Sequence, residues 1–278
     1  MEQKFSKWMV FIFLGCFLLS CSSPDIQDVE VIPETIVVYG DSRTGHEAHQ
    51  DIVEVMIRVE PVAIFHTGDL VENGWNLDHW VIFNEIVAPL LQMADFYPVL
   101  GNHEYNSTLY FDNFDLPNNE RWYVMGINNL HFIILDSNYH LGLGSEQYIW
   151  FQKNLEQVAG MGVFLIVLFH HPPFSSGPHG NDEKGLRETI VPLFEMYSVH
   201  IVFNGHDHIY ERSLKNNVFY VVTGGGGAPL HEKKRNNPFS QVFQSKHHFC
   251  RLQSTENQLI VEVFSRYLEK IDYFVIQK

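Results

Sequence analysis

Val202-Phe203-Asn204-Gly205-His206-Asp207-His208-Ile209-Tyr210-Glu211-Arg212 begins as an apolar run, breaks at a glycine and delivers two histidines around an acid. The run over residues 199–203 reads as a strand, and the glycine marks where the chain leaves it. Four more blocks share this layout. Gly40-Asp41-Ser42-Arg43 follows residues 35–39, Gly68-Asp69 follows 62–65, Gly101-Asn102-His103-Glu104 follows 97–100, and His170-His171-Pro172 follows 163–169. The last of these runs is apolar throughout, which predicts a strand buried on both faces. Ligands of open α/β sheets collect beyond the carboxyl ends of strands. Loops far apart in sequence are thus expected to meet at one pocket.

Helical spacing links the strands. It covers residues 49–59, which Pro61 ends, then 77–91, 145–159 and 185–197. Ser145 is placed as a cap with Glu146 in the first turn. Residues 122–125 and 131–135 read as a hairpin around 126–129. The strands 218–222, 248–252, 259–264 and 271–276 then follow with little helix between them. The class is α/β, mixed in front and mostly β behind, with no internal repeat.

The chemistry lies in the residue types. Asp69 offers two carboxylate oxygens that can bridge two cations, and Asp41 adds a second carboxylate. Asn102 offers an amide oxygen, and His170, His206 and His208 offer imidazole nitrogens. This N/O set suits Mn, Fe or Zn better than Ca or Mg, and no cysteine ligand points to structural zinc. His103 beside Asn102 is placed to protonate a leaving oxygen, with Glu104 orienting its ring. Singly these blocks are ordinary: Gly-Asp is common in turns, and a lone His-Asp-His is more often surface than ligand. Their conjunction, in order and each at a strand end, carries the reading.

Together the blocks resemble the calcineurin-like metallophosphoesterase superfamily. Phe169-His170-His171-Pro172, the stretch 202–212, and Tyr220-Val221-Val222-Thr223-Gly224-Gly225-Gly226-Gly227 are most similar to its purple acid phosphatase-like branch. The resemblance implies a four-layer α/β/β/α sandwich of two mixed β-sheets flanked by helices. It implies two divalent or trivalent ions, one held by Asp41, Asp69 and His208, the other by Asp69, Asn102, His170 and His206. It favours His170 over His171 and makes His103 the proton donor.

Two positions depart from the family pattern. Arg43 stands where a ligating histidine is common, and Glu72 stands where purple acid phosphatases supply a tyrosine. Three readings stay open: Glu72 ligates the first ion, Glu72 pairs with Arg43 and holds it toward phosphate, or the first site is weak. The resemblance also implies that the protein lacks the purple colour of an iron–tyrosinate bond.

Around the blocks, His179 in Ser175-Ser176-Gly177-Pro178-His179-Gly180 is a candidate phosphate contact or an exposed loop residue. His46 and His49 open a helix after the first block. Trp80 is expected in the core, while Trp75 is either packing or a wall for an aromatic leaving group. The basic run 231–235 is a solvated loop or an anion-attracting lid. Residues 224–227 lack the Lys and Ser/Thr of a nucleotide-binding loop and suggest tight backbone passage.

The ends and composition set the context. Lys4 and Lys7 precede the apolar run 8–19, which reads as a secretory signal over residues 1–20. Leu18-Leu19-Ser20-Cys21 resembles a bacterial lipobox, so Cys21 is the expected lipid attachment point. The alternatives are Cys16, after Leu14-Gly15, and an ordinary signal. Residues 21–34 carry Asp25, Asp28, Glu30, Glu34, Pro24 and Pro33 and form an acidic tether. Residues 35–278 form the catalytic domain, large enough for a full core. Of three cysteines only Cys250 lies in that domain, as a packed, inert thiol. The net charge of −15 argues against nucleic acid. The expectation is an exported, lipid-anchored monomer of the bacterial cell envelope that hydrolyses a small phosphate ester. A phosphomonoester is favoured. A diester, or a surface binding protein on a decayed phosphatase fold, is the alternative.

Overall fold

A computed structural model describes residues 34–278; the signal, Cys21 and most of the tether lie outside the described residues. The chain forms strands β1 (Ile36–Tyr39), β2 (Ala63–His66), β3 (Asp95–Pro98), β4 (Tyr123–Ile127), β5 (Leu130–Ile134), β6 (Phe164–Leu168) and β7 (Ile201–Asn204). It continues with β8 (Tyr210–Lys215), β9 (Val218–Thr223), β10 (Ser240–Gln244), β11 (His248–Ser254), β12 (Gln258–Ser265) and β13 (Lys270–Gln277). The helices are α1 (His46–Ile57), α2 (Leu77–Leu91), α3 (Thr108–Asn113), α4 (Glu146–Val158), α5 (Leu186–Thr189) and α6 (Val191–Met196).

One sheet runs β13-β12-β11-β1-β2-β3 and the other β10-β8-β9-β7-β6-β5-β4. Both are mixed. β1, β2 and β3 are parallel, as are β5, β6, β7 and β9, while the remaining pairings are antiparallel. Period-two alternation sorts the second sheet between two cores. Phe132, Ile134, Ile166 and Leu168 face the first sheet, and Phe65 stacks on Phe132 at 4.0 Å. Ile133, Leu135, Val167 and Phe169 turn the other way, onto Phe151 and Leu155 of α4 and Phe194 of α6. On the outer side of the first sheet, Ile52 and Met56 of α1 and Phe83 and Val87 of α2 join the core. The result is the four-layer sandwich of two mixed sheets between helices.

Strand β6 is buried at every position between two parallel neighbours, as its apolar run requires. Ser145 caps α4 by accepting the Tyr148 N–H. The single helix expected over 185–197 is instead α5 and α6, because Pro192 has no N–H to give to Glu188. The elements β8, β10 and α3 were not visible as separate signals. Their sequences are short and mixed, and β8 is held by pairing with β9 and β10. Cys250 is fully buried, and burial pushes its thiol up to about 12, so it is chemically quiet. Among the described residues no helix is long and apolar enough to cross a membrane.

The first sheet delivers three parallel strand ends and the second delivers β6, β7 and β9 to the same rim. Backbone bonds stitch the loops there: Asp41 N–H to the Gly68 carbonyl (3.0 Å), Gly205 N–H to that of His170 (3.0 Å) and Gly226 N–H to that of Gly40 (2.7 Å). A side chain at Gly226 would strike the Gly40 carbonyl, so the glycine run after β9 serves close backbone approach.

Candidate metal centre

Three of the candidate ligand residues sit where the chain turns sharply after a strand. Asp41, Asp69 and His206 have φ of 56°, 57° and 69°, the left-handed region that L residues avoid. Gly68 at φ 97° makes the second turn possible, since a Cβ there would lie 2.7 Å from the Gly101 nitrogen. These turns bring together residues separated by up to 167 positions.

Three trios of donor atoms result among the described residues; His179, Glu183 and His206 make up one, and Asp69 belongs to the other two. Asp69, His170 and His206 form one, and Asp41, Asp69 and His208 form the other, with the donor atoms in each within 4.8 Å of one another. The hydrogen bonds fix which atoms face inward. His170 Nδ1–H donates to the Thr67 carbonyl (2.8 Å), and His208 Nδ1–H donates to the Pro229 carbonyl (2.7 Å). With neutral rings, each Nε2 then carries a lone pair. His170 Nε2 points at Asn102 Oδ1 (3.1 Å), Asp69 Oδ1 (3.4 Å) and His206 Nδ1 (3.2 Å). His208 Nε2 lies 3.6 Å from Asp41 Oδ1. Lone-pair atoms of His170, Asn102 and Asp69 face one another here, as do those of His208 and Asp41, and a cation between them satisfies each set. The residues present therefore fit a pair of metal ions. His171 stands aside, bonded to Ser137 Oγ (2.8 Å).

Glu72 is not gathered into any trio. Its carboxylate accepts from Arg43 Nη1 at 2.5 Å, while Arg43 Nε lies 3.4 Å from Asp69 Oδ2. The guanidinium thus occupies the edge of the first site. His103 is held by Nδ1–H donation to the Glu72 carbonyl (2.7 Å), leaving Nε2 facing Asp69 Oδ2 at 3.9 Å. Its backbone N–H donates to Asp69 Oδ1 (3.0 Å). The expected orientation of His103 by Glu104 is corrected here. Glu104 is fully buried and turned the other way, accepting the N–H groups of Asp69 (3.0 Å), Leu70 (2.9 Å) and Gly101 (2.6 Å). It locks the second and third loops in register.

His179 packs its ring 4.2 Å from that of His206, at the open side of the centre. Two buried carboxylates hold its loop: Asp207 accepts from Ser175 Oγ (2.5 Å) and the His179 N–H (3.1 Å), and Glu211 accepts from Ser176 N–H (2.5 Å) and Oγ (2.6 Å). Two neighbours carried no sequence signal. Glu183 reaches His179 Nδ1 (3.1 Å) and stands 3.6 Å from His206 Nε2. His231 stacks on His208 with centroids 4.1 Å apart and accepts the His208 N–H (3.1 Å). His231 begins the basic run, and a solitary histidine 23 residues after its partner has no spacing that marks it. Trp80 is buried, while Trp75 is exposed.

Burial dominates the electrostatics. It holds His170 and His206 below the ordinary imidazole range and lowers His208 to about 3, so these rings are neutral at neutral pH. Burial, with Asp69 adding repulsion, raises Asp41 and pushes Glu104 up to about 8. Carboxylates crowded this way favour a nearby cation.

The family model for calcineurin-like phosphoesterases matches residues 34–210. The chain belongs to that family. It is 27% identical over 245 residues to purple acid phosphatase 18 of Arabidopsis thaliana, covering 70% of this chain and 55% of the relative. It is 36% identical over 115 residues to a purple acid phosphatase of Glycine max, covering 40% of this chain and 25% of the relative. The chain thus spans about half or less of the length of these curated relatives. A solved purple acid phosphatase from yellow lupin seeds shares the fold, with a TM-score of 0.79, 21% identity, and 88% of this chain and 54% of that one covered. In this calcineurin-like phosphoesterase the branch resemblance and the four-layer fold agree.

Proposed function

We propose that this calcineurin-like phosphoesterase hydrolyses phosphomonoesters with a dinuclear centre. The observation that carries this is Asp69, one carboxylate common to two donor trios, with the N–H groups of His170 and His208 turned away onto carbonyls. When bound, paired cations of the Mn, Fe or Zn class make water nucleophilic at neutral pH and accept charge from a phosphoryl group. The chain's own groups do the rest. Asp69 and Asp41 position the pair, and Arg43, 17% exposed, presents charge beside the shared carboxylate. His103, its Nδ1–H fixed on a carbonyl, delivers a proton from Nε2 to the leaving oxygen. His179 stands over the opposite side. Three donors around the trios match the two charges of a monoester better than the single charge of a diester.

The test is hydrolysis of p-nitrophenyl phosphate and its bis ester by protein loaded with Mn, Zn or Fe, with metal counted per chain. The monoester is expected to be the faster substrate. Arg43→Met is expected to raise its KM about tenfold with a smaller change in kcat, as loss of one charge-assisted contact implies. One observation favours a second reading: Arg43 itself approaches Asp69 at 3.4 Å and competes for it. Folded, metal-loaded protein that cleaves neither ester is a binding protein.

The basic start, the apolar run and Leu18-Leu19-Ser20-Cys21 support export and lipid attachment at Cys21. Metabolic labelling with a radioactive fatty acid should mark the wild-type chain and not Cys21→Ser. Equal labelling of both ends that assignment.

A further inference from the structure

We infer that a cavity beside Arg43 receives the organic part of the substrate and selects a leaving group built on a single flat, uncharged ring. This rests on the phosphomonoesterase reading and names the substrate class of the same site.

The cavity measures about 190 Å³ and lies between the first-block loop, α1 and α2. Arg43, Glu72, His46, His79, Phe83 and Ile86 are among its walls. Two contacts tie it to the centre. The guanidinium that lines it lies 3.4 Å from Asp69 Oδ2, and the Glu72 that lines it holds the His103 ring through its carbonyl at 2.7 Å. A leaving group whose oxygen takes a proton from His103 therefore departs along Glu72 and meets this opening.

Its chemistry narrows the occupant. Phe83 and Ile86 with Leu70 and Val71 give an apolar floor, and the polar lining is the Arg43 guanidinium, the Glu72 carboxylate and imidazoles. His49 is committed to Tyr39 Oη (3.2 Å) and stacks on Phe83 with centroids 5.8 Å apart, so the inner end is aromatic. Such surfaces favour a flat aromatic group. Arg43, shared between Glu72 at 2.5 Å and the phosphoryl position beside Asp69, is the only Arg or Lys in the lining, so the cavity adds no further such cation for a second phosphate or a carboxylate. The volume falls below the ~300–1,000 Å³ of pockets that enclose drug-sized ligands, so one ring fits and a larger group does not. Arg43 and Glu72 are also the two positions where the chain departs from the family's ligand pattern. The same departure that thins the first metal site builds the cavity wall.

Two measurements test this. Phenylphosphonate and methylphosphonate, which cannot be hydrolysed, are titrated calorimetrically into metal-loaded wild-type protein. The phenyl compound is expected to bind about tenfold tighter, a factor within what burying one ring supplies. Steady-state rates are then compared for phenyl phosphate and glycerol 2-phosphate in wild type and in His46→Trp, which fills the cavity from its exposed rim. The phenyl-to-glycerol ratio of kcat/KM is expected to fall about tenfold in the variant. Equal affinity for the two phosphonates overturns the inference, as does a ratio that His46→Trp leaves unchanged. If His46→Trp fails to fold, the wild-type phosphonates decide. If wild type cleaves neither ester, the hydrolase reading fails, and the phosphonate preference still reports on the cavity.

Discussion

Asp69→Asn is expected to lower kcat/KM for p-nitrophenyl phosphate about a thousandfold and to bring bound metal from two ions per chain to one or fewer. The magnitude follows from what a dinuclear site contributes, several kcal/mol of charge stabilisation, at 1.36 kcal/mol for each factor of about ten. Asparagine is the informative replacement. It accepts the left-handed backbone at this position as well as aspartate does. It also retains an oxygen for the His103 N–H, now at 3.0 Å. What it removes is the charge shared by both trios. Elemental analysis, steady-state rates and circular dichroism on one preparation check this. Two ions retained with a rate within about tenfold of wild type would remove the shared carboxylate from the centre.

The second large effect is on stability. Glu104→Ala is expected to destabilise the fold by about 4 kcal/mol or more, because the N–H groups of Asp69, Leu70 and Gly101 lose their acceptor. Each buried unsatisfied group costs about 1–3 kcal/mol, and domains hold only about 5–15 kcal/mol in all. Glu104→Gln should lose less than alanine, since it keeps one acceptor oxygen. Urea midpoints of the three proteins report the order. An unchanged midpoint in Glu104→Ala, with activity lost, would place Glu104 in the chemistry instead of the framework.

This contrast shows what the sequence made legible. Each candidate ligand stands within a few residues of a strong strand signal, so Asp41, Asp69, Asn102, His170, His206 and His208 were readable as a candidate set. Their convergence follows from parallel strands ending on one rim. Glu104 was visible as a residue but not as a clamp, because apart from Gly101 its partners are backbone groups 33 to 35 positions away and depend on how two turns face. The contacts of Glu183 and His231 exist only after the loop after β6 and the loop after β9 are folded over His206 and His208. The choice between Glu72 as ligand and Glu72 as partner of Arg43 needed side-chain direction, which spacing does not encode. Helix α3 and strand β8 carry mixed sequences, and packing decides them.

The backbone angles at Asp41, Asp69 and His206 have a wider meaning. Non-glycine residues held there store about 1–3 kcal/mol each, so the turns that make the protein competent are also its least comfortable. Glycine at all three would relieve that strain and remove the converging donor atoms in the same stroke. Heat resistance is therefore a poor guide to whether such a pocket is intact.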